Sequence, residues 1–226
     1  MIQEIEIPRE VPMMTMRSTV LFPQAIMPLY IFEPRYRAML SEVLNGDRIF
    51  AVAALDESSE TSLNNEMPHT IAGVGVVRAC KKNPDGSSNL IIQGLARVAL
   101  EAIVTEQPFR KARIHQVISE PGGSDQSIAQ ISTDLIEMVQ TQIRLGAPIP
   151  KEVVDFLKNI PDPEGVLDLA IYTLCHSAEL KQDLLADRLV YKRYQKFKNY
   201  LNAEIARLKL EHKLKGNLDD DHIGQN

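Results

Sequence analysis

The stretch from Val20 to Leu40, V-L-F-P-Q-A-I-M-P-L-Y-I-F-E-P-R-Y-R-A-M-L, constrains the fold more than any other part of the chain. It joins an apolar strand to a helix across a single Glu33-Pro34 junction. Leu21, Phe22 and the Pro23 turn lead into Pro28 to Phe32, a short apolar run with a β-branched residue that reads as a strand. Proline at the first helical position has the right φ already and no amide proton to lose, so Glu33-Pro34 opens a helix. The spacing predicts that helix over Arg35 to Leu44, with Tyr36, Leu40, Val43 and Leu44 as its apolar stripe. Asn45-Gly46 is expected to stop it by adopting the left-handed conformation. A strand of this kind running into a proline-started helix is commonly buried, so Phe32 is expected to be a core anchor whose truncation costs about 3 to 5 kcal/mol; the alternative is a place on an exposed groove, where truncation would leave the melting temperature nearly unchanged.

The pattern F-P-x-x-x-x-P-L-x-I-F-E-P-R-Y-R-x-M resembles the opening motif of the LON domain, the amino-terminal domain of Lon-type proteases, which also occurs as a stand-alone protein. G-V-G-V-V-R from Gly73 and N-L-I-I-Q-G-L-A-R-V from Asn89 resemble the second and third blocks of that family, and Q-P-F-R-K-A from Gln107 resembles the fourth. A-E-L-K-Q-D-L-L-A, from Ala178 to Ala186, resembles its helical part, so the likeness covers roughly Val11 to Leu208. The resemblance implies an α+β fold: a β-rich, PUA-like pseudo-barrel followed by a helical bundle lobe with a long C-terminal helix.

The period of the pattern supports that order. Ile71 to Lys82 alternates valine and reads as a strand, Asn83-Pro84-Asp85-Gly86 as a turn, and Asn89 to Gln93 as the returning strand. Gly94 interrupts the apolar run as a glycine does at a bulge or a sharp bend. Glu120 to Asp125 has two glycines and a proline and ends any strand, after which Ile128, Ile131, Leu135, Met138 and Val139 recur at helical spacing. Asp162 before Pro163 starts another helix. Ser177 is expected to cap the last and longest helix, with Glu179 at its positive end and Val190, Tyr194, Phe197, Leu201, Ile205 and Leu208 as one stripe along it. These patterns divide the chain into a β-rich lobe over 1–118, a linker over 119–125, a helical lobe over 126–214 and a frayed tail over 215–226.

With 44% hydrophobic and 24% charged residues the composition is that of an ordinary globular chain. The formal charge of −5 is spread evenly, with 12 basic against 15 acidic residues up to Asp125 and 13 against 15 beyond it. No basic surface is concentrated enough to suggest polyanion binding. The amino-terminal Met-Ile-Gln-Glu-Ile-Glu-Ile lacks the basic region and apolar core of a secretory signal, and no apolar run reaches membrane-spanning length. Cys80 and Cys175, far apart in sequence, are expected to be inert thiols of a cytoplasmic protein.

Residues that would carry catalysis are missing from the pattern. An energy-dependent protease needs G-x-x-x-x-G-K-[ST] for nucleotide phosphates and a serine with a lysine as nucleophile and base. The phosphate motif does not occur, and nothing in the chain resembles the ATPase or peptidase domains of Lon proteases. Gly73-x-Gly75 is no dinucleotide fingerprint, because the third glycine position is Arg78 and the segment continues as a strand. His69, His115, His176, His212 and His222 have no metal-ligand spacing with each other or with the cysteines, so neither metal nor cofactor is expected. His176 reads as an ordinary core or rim residue, and no G-x-S-x-G elbow accompanies any histidine.

Binding is the expected role. Glu33, Arg35 and Arg37 read first as an ion pair and cap at the strand-to-helix turn. Lys192, Arg193, Lys196 and Lys198 read as the solvated side of the last helix. Met13, Met14, Met16, Met27 and Met39 crowd the front of the chain, where several are expected in the barrel core; flexible thioethers also suit a surface that accepts varied apolar segments. The LON resemblance implies a module that recognises polypeptides, in service of proteolysis or quality control, without chemistry of its own. Its expected contacts are Met13, Met14, Met27 and Phe109, with Arg35 and Arg37 as a polar rim, along a groove between β-rich and helical parts. An RNA-binding role, by analogy with other PUA-like domains, is the alternative; the acidic pI near 5.6 counts against it.

Overall fold

The computed structural model describes residues 5–56 and 67–218, with side chains up to residue 214. By its internal contacts the chain forms two compact units: Met1–Ser119 with Ile171–Arg188, and Glu120–Ala170 with Leu189–Asn226. Helical residues 171–188 thus belong with the β-rich part, whereas the sequence pattern alone groups them with the helices that follow residue 126.

The first unit is built on six strands, β1 (Glu10–Met16), β2 (Ile26–Ile31), β3 (Ile49–Ala54), β4 (Ile71–Lys82), β5 (Ser88–Thr105) and β6 (Lys111–Gln116), in the order β2-β5-β4-β3-β1-β6. The 18-residue β5 closes the sheet, because its second half also pairs with β6. Among the described strands only β1 and β3 run parallel. Closure encloses a core of small and branched side chains that includes Val11, Met13, Ala51, Val74, Ala96 and Val98. β2 stands outside the closed ring and pairs only with the first half of β5.

The hairpin follows the expected plan. The turn closes with Gly86 N donating to Asn83 O at 3.0 Å, and Asp85 Oδ1 accepts from the Ser87 amide and hydroxyl at 2.9 and 2.6 Å. The bulge falls where Gly94 foretells it: Gly75 faces Gly94 while Val74 faces Ala96, which leaves Leu95 as the extra residue. A second irregularity gives Arg78 no partner across β5. Gly73 and Gly94 are required by close approach rather than by φ. A Cβ on either would run into the carbonyl oxygen of Leu21 or of Phe22, so the Leu21-Phe22-Pro23 loop lies directly on these two glycines.

Helix α1 (Pro34–Asn45) begins with proline as expected and buries Tyr36, Met39, Leu40 and Val43, while Leu44 is half-exposed. Its end differs from expectation. Gly46 has φ −112°, and the left-handed residue is Arg48, at φ 62°. Arg48 is held there by β4, since its carbonyl accepts from Val77 N at 2.8 Å and its Nε donates to Val77 O at 3.0 Å. Tertiary pairing, not the Asn-Gly dipeptide, decides where the chain reverses.

The expected single last helix is two helices, α5 (Ala178–Ala186) and α6 (Val190–Leu218), and Ser177 caps the first of them by accepting from Leu180 N at 3.1 Å. Leu189 forms a parallel bridge with Glu120, and the amides of Val190 and Tyr191 donate to the carbonyls of Glu120 and Pro121. Those amides would otherwise continue the α5 ladder; pairing with the supposed linker breaks the helix instead. α5 is anchored to the sheet of its own unit: Gln182 Nε2 donates to Ile71 O at 2.9 Å, and buried Arg97 donates through Nε to Leu185 O at 3.2 Å, a cation on a C-terminal carbonyl.

In the second unit, α2 (Asp125–Arg144) is capped by Ser124, and α4 (Pro163–Leu174), which crosses the unit boundary, by Asp162, whose Oδ2 accepts from Gly165 N at 2.8 Å. A short α3 (Glu152–Lys158) lies between them. α6 carries the predicted stripe: Val190, Tyr194, Phe197, Leu201 and Leu208 are buried and Ile205 half-buried. The basic run beside it is not all solvated. Arg193 is fully buried, with Nη2 2.5 Å from Glu164 Oε1 and 3.6 Å from Asp168 Oδ1, so it is an internal ion cluster rather than a surface charge. Lys198 donates to Asp134 Oδ2 at 2.8 Å, and Tyr194 donates to the same oxygen. Partial burial works to raise the Asp134 carboxyl, but the hydrogen bonds from Lys198, Tyr194 and Gln130 outweigh it and hold the group down at about 2. α6 continues to Leu218, so 215–218 are helical; the rest of the expected tail lies outside the described residues.

Candidate functional site

Strand β2 is apolar on both faces. A strand that alternates its side chains across a sheet needs apolar residues only on the side that is covered, so a continuous run such as Ile26-Met27-Pro28-Leu29-Tyr30-Ile31-Phe32 calls for cover on both. Met27, Leu29 and Ile31 are buried. The alternate residues face solvent: Ile26 is 51% exposed, Tyr30 52% and Phe32 60%, with Pro28 also exposed. Phe32 is therefore not the core anchor that the strand-to-helix pattern predicts. It lies one residue past the end of β2 on its outward side, and its ring stacks on that of Tyr30 with centroids 5.7 Å apart and planes 28° apart.

The register places further residues on this face. Tyr30 stands opposite Asn89, which stands opposite Lys81; Pro28 stands opposite Ile91, which stands opposite Ala79. Ile91 is 40% exposed. At the end near Ile26, the partner of Gln93, the Arg78 guanidinium donates to Gln93 Oε1 at 2.7 Å. Pro28, Tyr30, Ala79, Lys81, Asn89 and Ile91 line a shallow hollow of about 470 Å³.

Tyr30 also borders a second hollow, of about 280 Å³, whose walls include Met14, Arg17, Phe32, Glu33 and Arg35. Tyr36 forms its floor at the β1 edge, donating to Thr15 O at 2.9 Å and accepting from Thr15 N at 3.3 Å. The Arg35 guanidinium lies 4.6 Å from the centre of the Tyr36 ring and its Nε 2.9 Å from Glu33 Oε2. The expected Glu33–Arg35 ion pair is present, but Glu33 caps α1 with its backbone only.

The residues expected to meet a polypeptide are thus split. Arg35 and the edge of Met14 reach the second hollow. Met13, Met27 and Phe109 are buried, as is most of Met14, and they fill the interior of the first unit rather than its surface; Met39 is buried as well. Arg37 is exposed and lies against the hairpin turn at Gly86. Tyr30, Phe32, Ile26 and Ile91 were not among the expected contacts, although the two-faced apolarity of the run from Ile26 to Phe32 is visible in the sequence.

No group of three or more His, Cys, Asp and Glu among the described residues could hold a metal ion. Burial pushes the Cys175 thiol up, and Cys80 is half-buried; both are free. No described helix is long and apolar enough to cross a membrane.

A closed sheet with a pendant strand, followed by helices, is the architecture of a known class of domain. Residues 10–203 match the family model of the ATP-dependent protease La (LON) substrate-binding domain, and the chain belongs to that family. The Lon protease of Desulfosudis oleivorans is 27% identical over 219 residues, and that of Flavobacterium johnsoniae 25% identical over 217. Each alignment takes in 96% of this chain, yet the chain spans only about a quarter of the length of these relatives, 26% and 27%. Among solved structures, the N-terminal domain of a Mycobacterium avium complex Lon protease superposes with a TM-score of 0.65 at 15% identity, covering 87% of this chain and 98% of that one. A Lon N-terminal domain protein from Xanthomonas campestris gives 0.60 at 16% identity, over 84% and 98%. The match is thus to the N-terminal, substrate-binding part of Lon proteins, and the fold is theirs. These likenesses lend no support to the RNA-binding alternative.

Proposed function

We propose that this chain is a polypeptide-binding module that carries no catalytic step of its own and meets its clients on the outer face of β2. The observation that carries this reading is the exposed row Ile26, Pro28, Tyr30 and Phe32 on an edge strand, inside the motif that marks the family. Contiguous exposed apolar surface is costly to maintain on a monomer and commonly marks a binding surface. Aromatic side chains suit varied clients because they supply large contact area with few rotatable bonds. Presentation of bound polypeptide to a protease, in the cytoplasm, is the role that the family suggests.

The test is capture of a permanently unfolded protein, such as reduced and carboxymethylated lactalbumin, on immobilised protein across a range of salt concentrations. Retention that the Tyr30→Ala/Phe32→Ala double variant loses is the expected result. Absence of capture at every salt concentration overturns the reading, as does ATP hydrolysis or casein cleavage that co-elutes with the protein through repurification.

A further inference from the structure

The face beside the aromatic row is not neutral. Across the hollow from β2, strand β4 presents Arg78 and Lys81, both exposed and three residues apart, with Ile91 of β5 between that strand and the apolar row. Among the described residues no carboxylate lies within salt-bridge distance of either cation; Arg78 has only the neutral amide of Gln93 as its partner. In a chain of net charge −5, two cations uncommitted to any described carboxylate beside an exposed apolar row are a local exception.

The lattice of the sheet sets the spacing. Neighbouring strands lie about 4.8 Å apart, so the β4 cations stand roughly 10 Å across from the β2 row, with β5 between. Along the strand, Ile26 to Tyr30 spans about 13 Å at some 3.3 Å per residue. An extended polypeptide lying lengthwise over β5 sends successive side chains to opposite sides, every second one over β2 and the others over β4.

We infer that this face takes an extended, acidic-apolar polypeptide segment in which bulky apolar residues alternate with Asp or Glu, the apolar side chains seating on Ile26, Pro28, Tyr30 and Phe32 and the carboxylates meeting Arg78 and Lys81. The inference rests on the polypeptide-binding reading and deepens it by naming the pattern that is bound. Direct strand addition is the poorer geometry, because Pro28 removes one amide donor from β2 and proline on an edge strand discourages further pairing. Side-chain complementarity on the face therefore carries the recognition, and the two cations select against basic segments as well as for acidic ones.

Four fluorescent peptides of about twelve residues separate the outcomes by anisotropy: alternating Phe/Leu with Asp, the same composition with all acids at one end, alternating Phe/Leu with Lys, and alternating Ser with Asp. We expect the first to bind about ten-fold or more tightly than each of the others at low salt, with the margin shrinking as salt rises. In Arg78→Gln/Lys81→Gln the first two peptides should come within about two-fold of each other, whereas Tyr30→Ala should weaken both. Thermal melts of each variant show that the fold is kept. Equal affinity for the aspartate and lysine alternating peptides overturns the inference while the polypeptide reading stands. Binding of none of the four overturns the inference, and the polypeptide reading falls with it where unfolded protein is not captured either. Tighter binding of an unstructured oligouridylate than of any peptide at physiological salt also overturns it and assigns the face to single-stranded nucleic acid.

Discussion

The two phenylalanines of the same motif, Phe22 and Phe32, have opposite surroundings. Phe22 is completely buried, its ring 5.8 Å from the Arg97 guanidinium, while its carbonyl sits against Gly94. Phe32, ten residues on, is 60% exposed and touches another exposed ring. Both belong to one strand-and-helix signature, so the signature mixes two kinds of constraint. Its first half locks a loop onto the closed sheet, and its second half leaves an apolar row in solvent.

If that division is right, truncating Phe22 should be the costliest change in the motif. Phe22→Ala is expected to lose about 3 to 5 kcal/mol, read as a large drop in the midpoint of thermal or urea unfolding. A loss below about 1 kcal/mol would show that the loop can collapse around the gap and would break the comparison.

Gly94→Ala tests the same half from the other partner. The added methyl group must displace the Phe22 backbone carbonyl rather than a flexible side chain, so a loss of about 1 to 3 kcal/mol is expected. An unchanged denaturation midpoint would mean that the loop is not held against β5.

Gly86→Ala probes the hairpin beside Arg37. The residue has φ 82°, which costs a side chain about 1 kcal/mol, and the end of Arg37 must also swing away. Since Arg37 is flexible and exposed there, the loss should stay near that figure and leave client capture intact. Loss of capture with an unchanged melt would move Arg37 from hairpin support to the binding surface.

Glu33→Gln removes one side of an ion pair whose members are about two-fifths exposed, and its effect on stability should lie within about 0 to 1 kcal/mol. Smallest of all should be Phe32→Ala, within about 0.5 kcal/mol of the parent in stability although it is the larger truncation, with its effect appearing in capture of unfolded protein instead. A destabilisation of several kcal/mol would restore Phe32 to the core and dissolve the contrast with Phe22.

Local chemistry was legible in the sequence, and legible for a reason: it acts within a few residues. β4 occupies Ile71 to Lys82 as its valine alternation predicts, Pro34 opens α1, and Ser124, Asp162 and Ser177 accept amide protons three residues on, as short polar side chains do before a helix. The stripe on α6 was readable from its spacing for the same reason.

What the sequence left open depends on partners far away along the chain. Ala178 to Leu208 has no strong helix breaker, and the helix is cut at Asp187 to Leu189 because Glu120 and Pro121 take its amides; nothing local announces a carbonyl some seventy residues upstream. Arg193 looks like its solvated neighbours until Glu164 and Asp168 are placed beside it. Met13, offered for binding, went into the interior because closure of β5 onto β6 created a core for it, and β2 fell outside that closure. The apolarity of Ile26, Tyr30 and Phe32 was determined by the sequence alone. Their exposure was decided only by the tertiary structure, since burial is a property of what covers a residue and not of the residue itself.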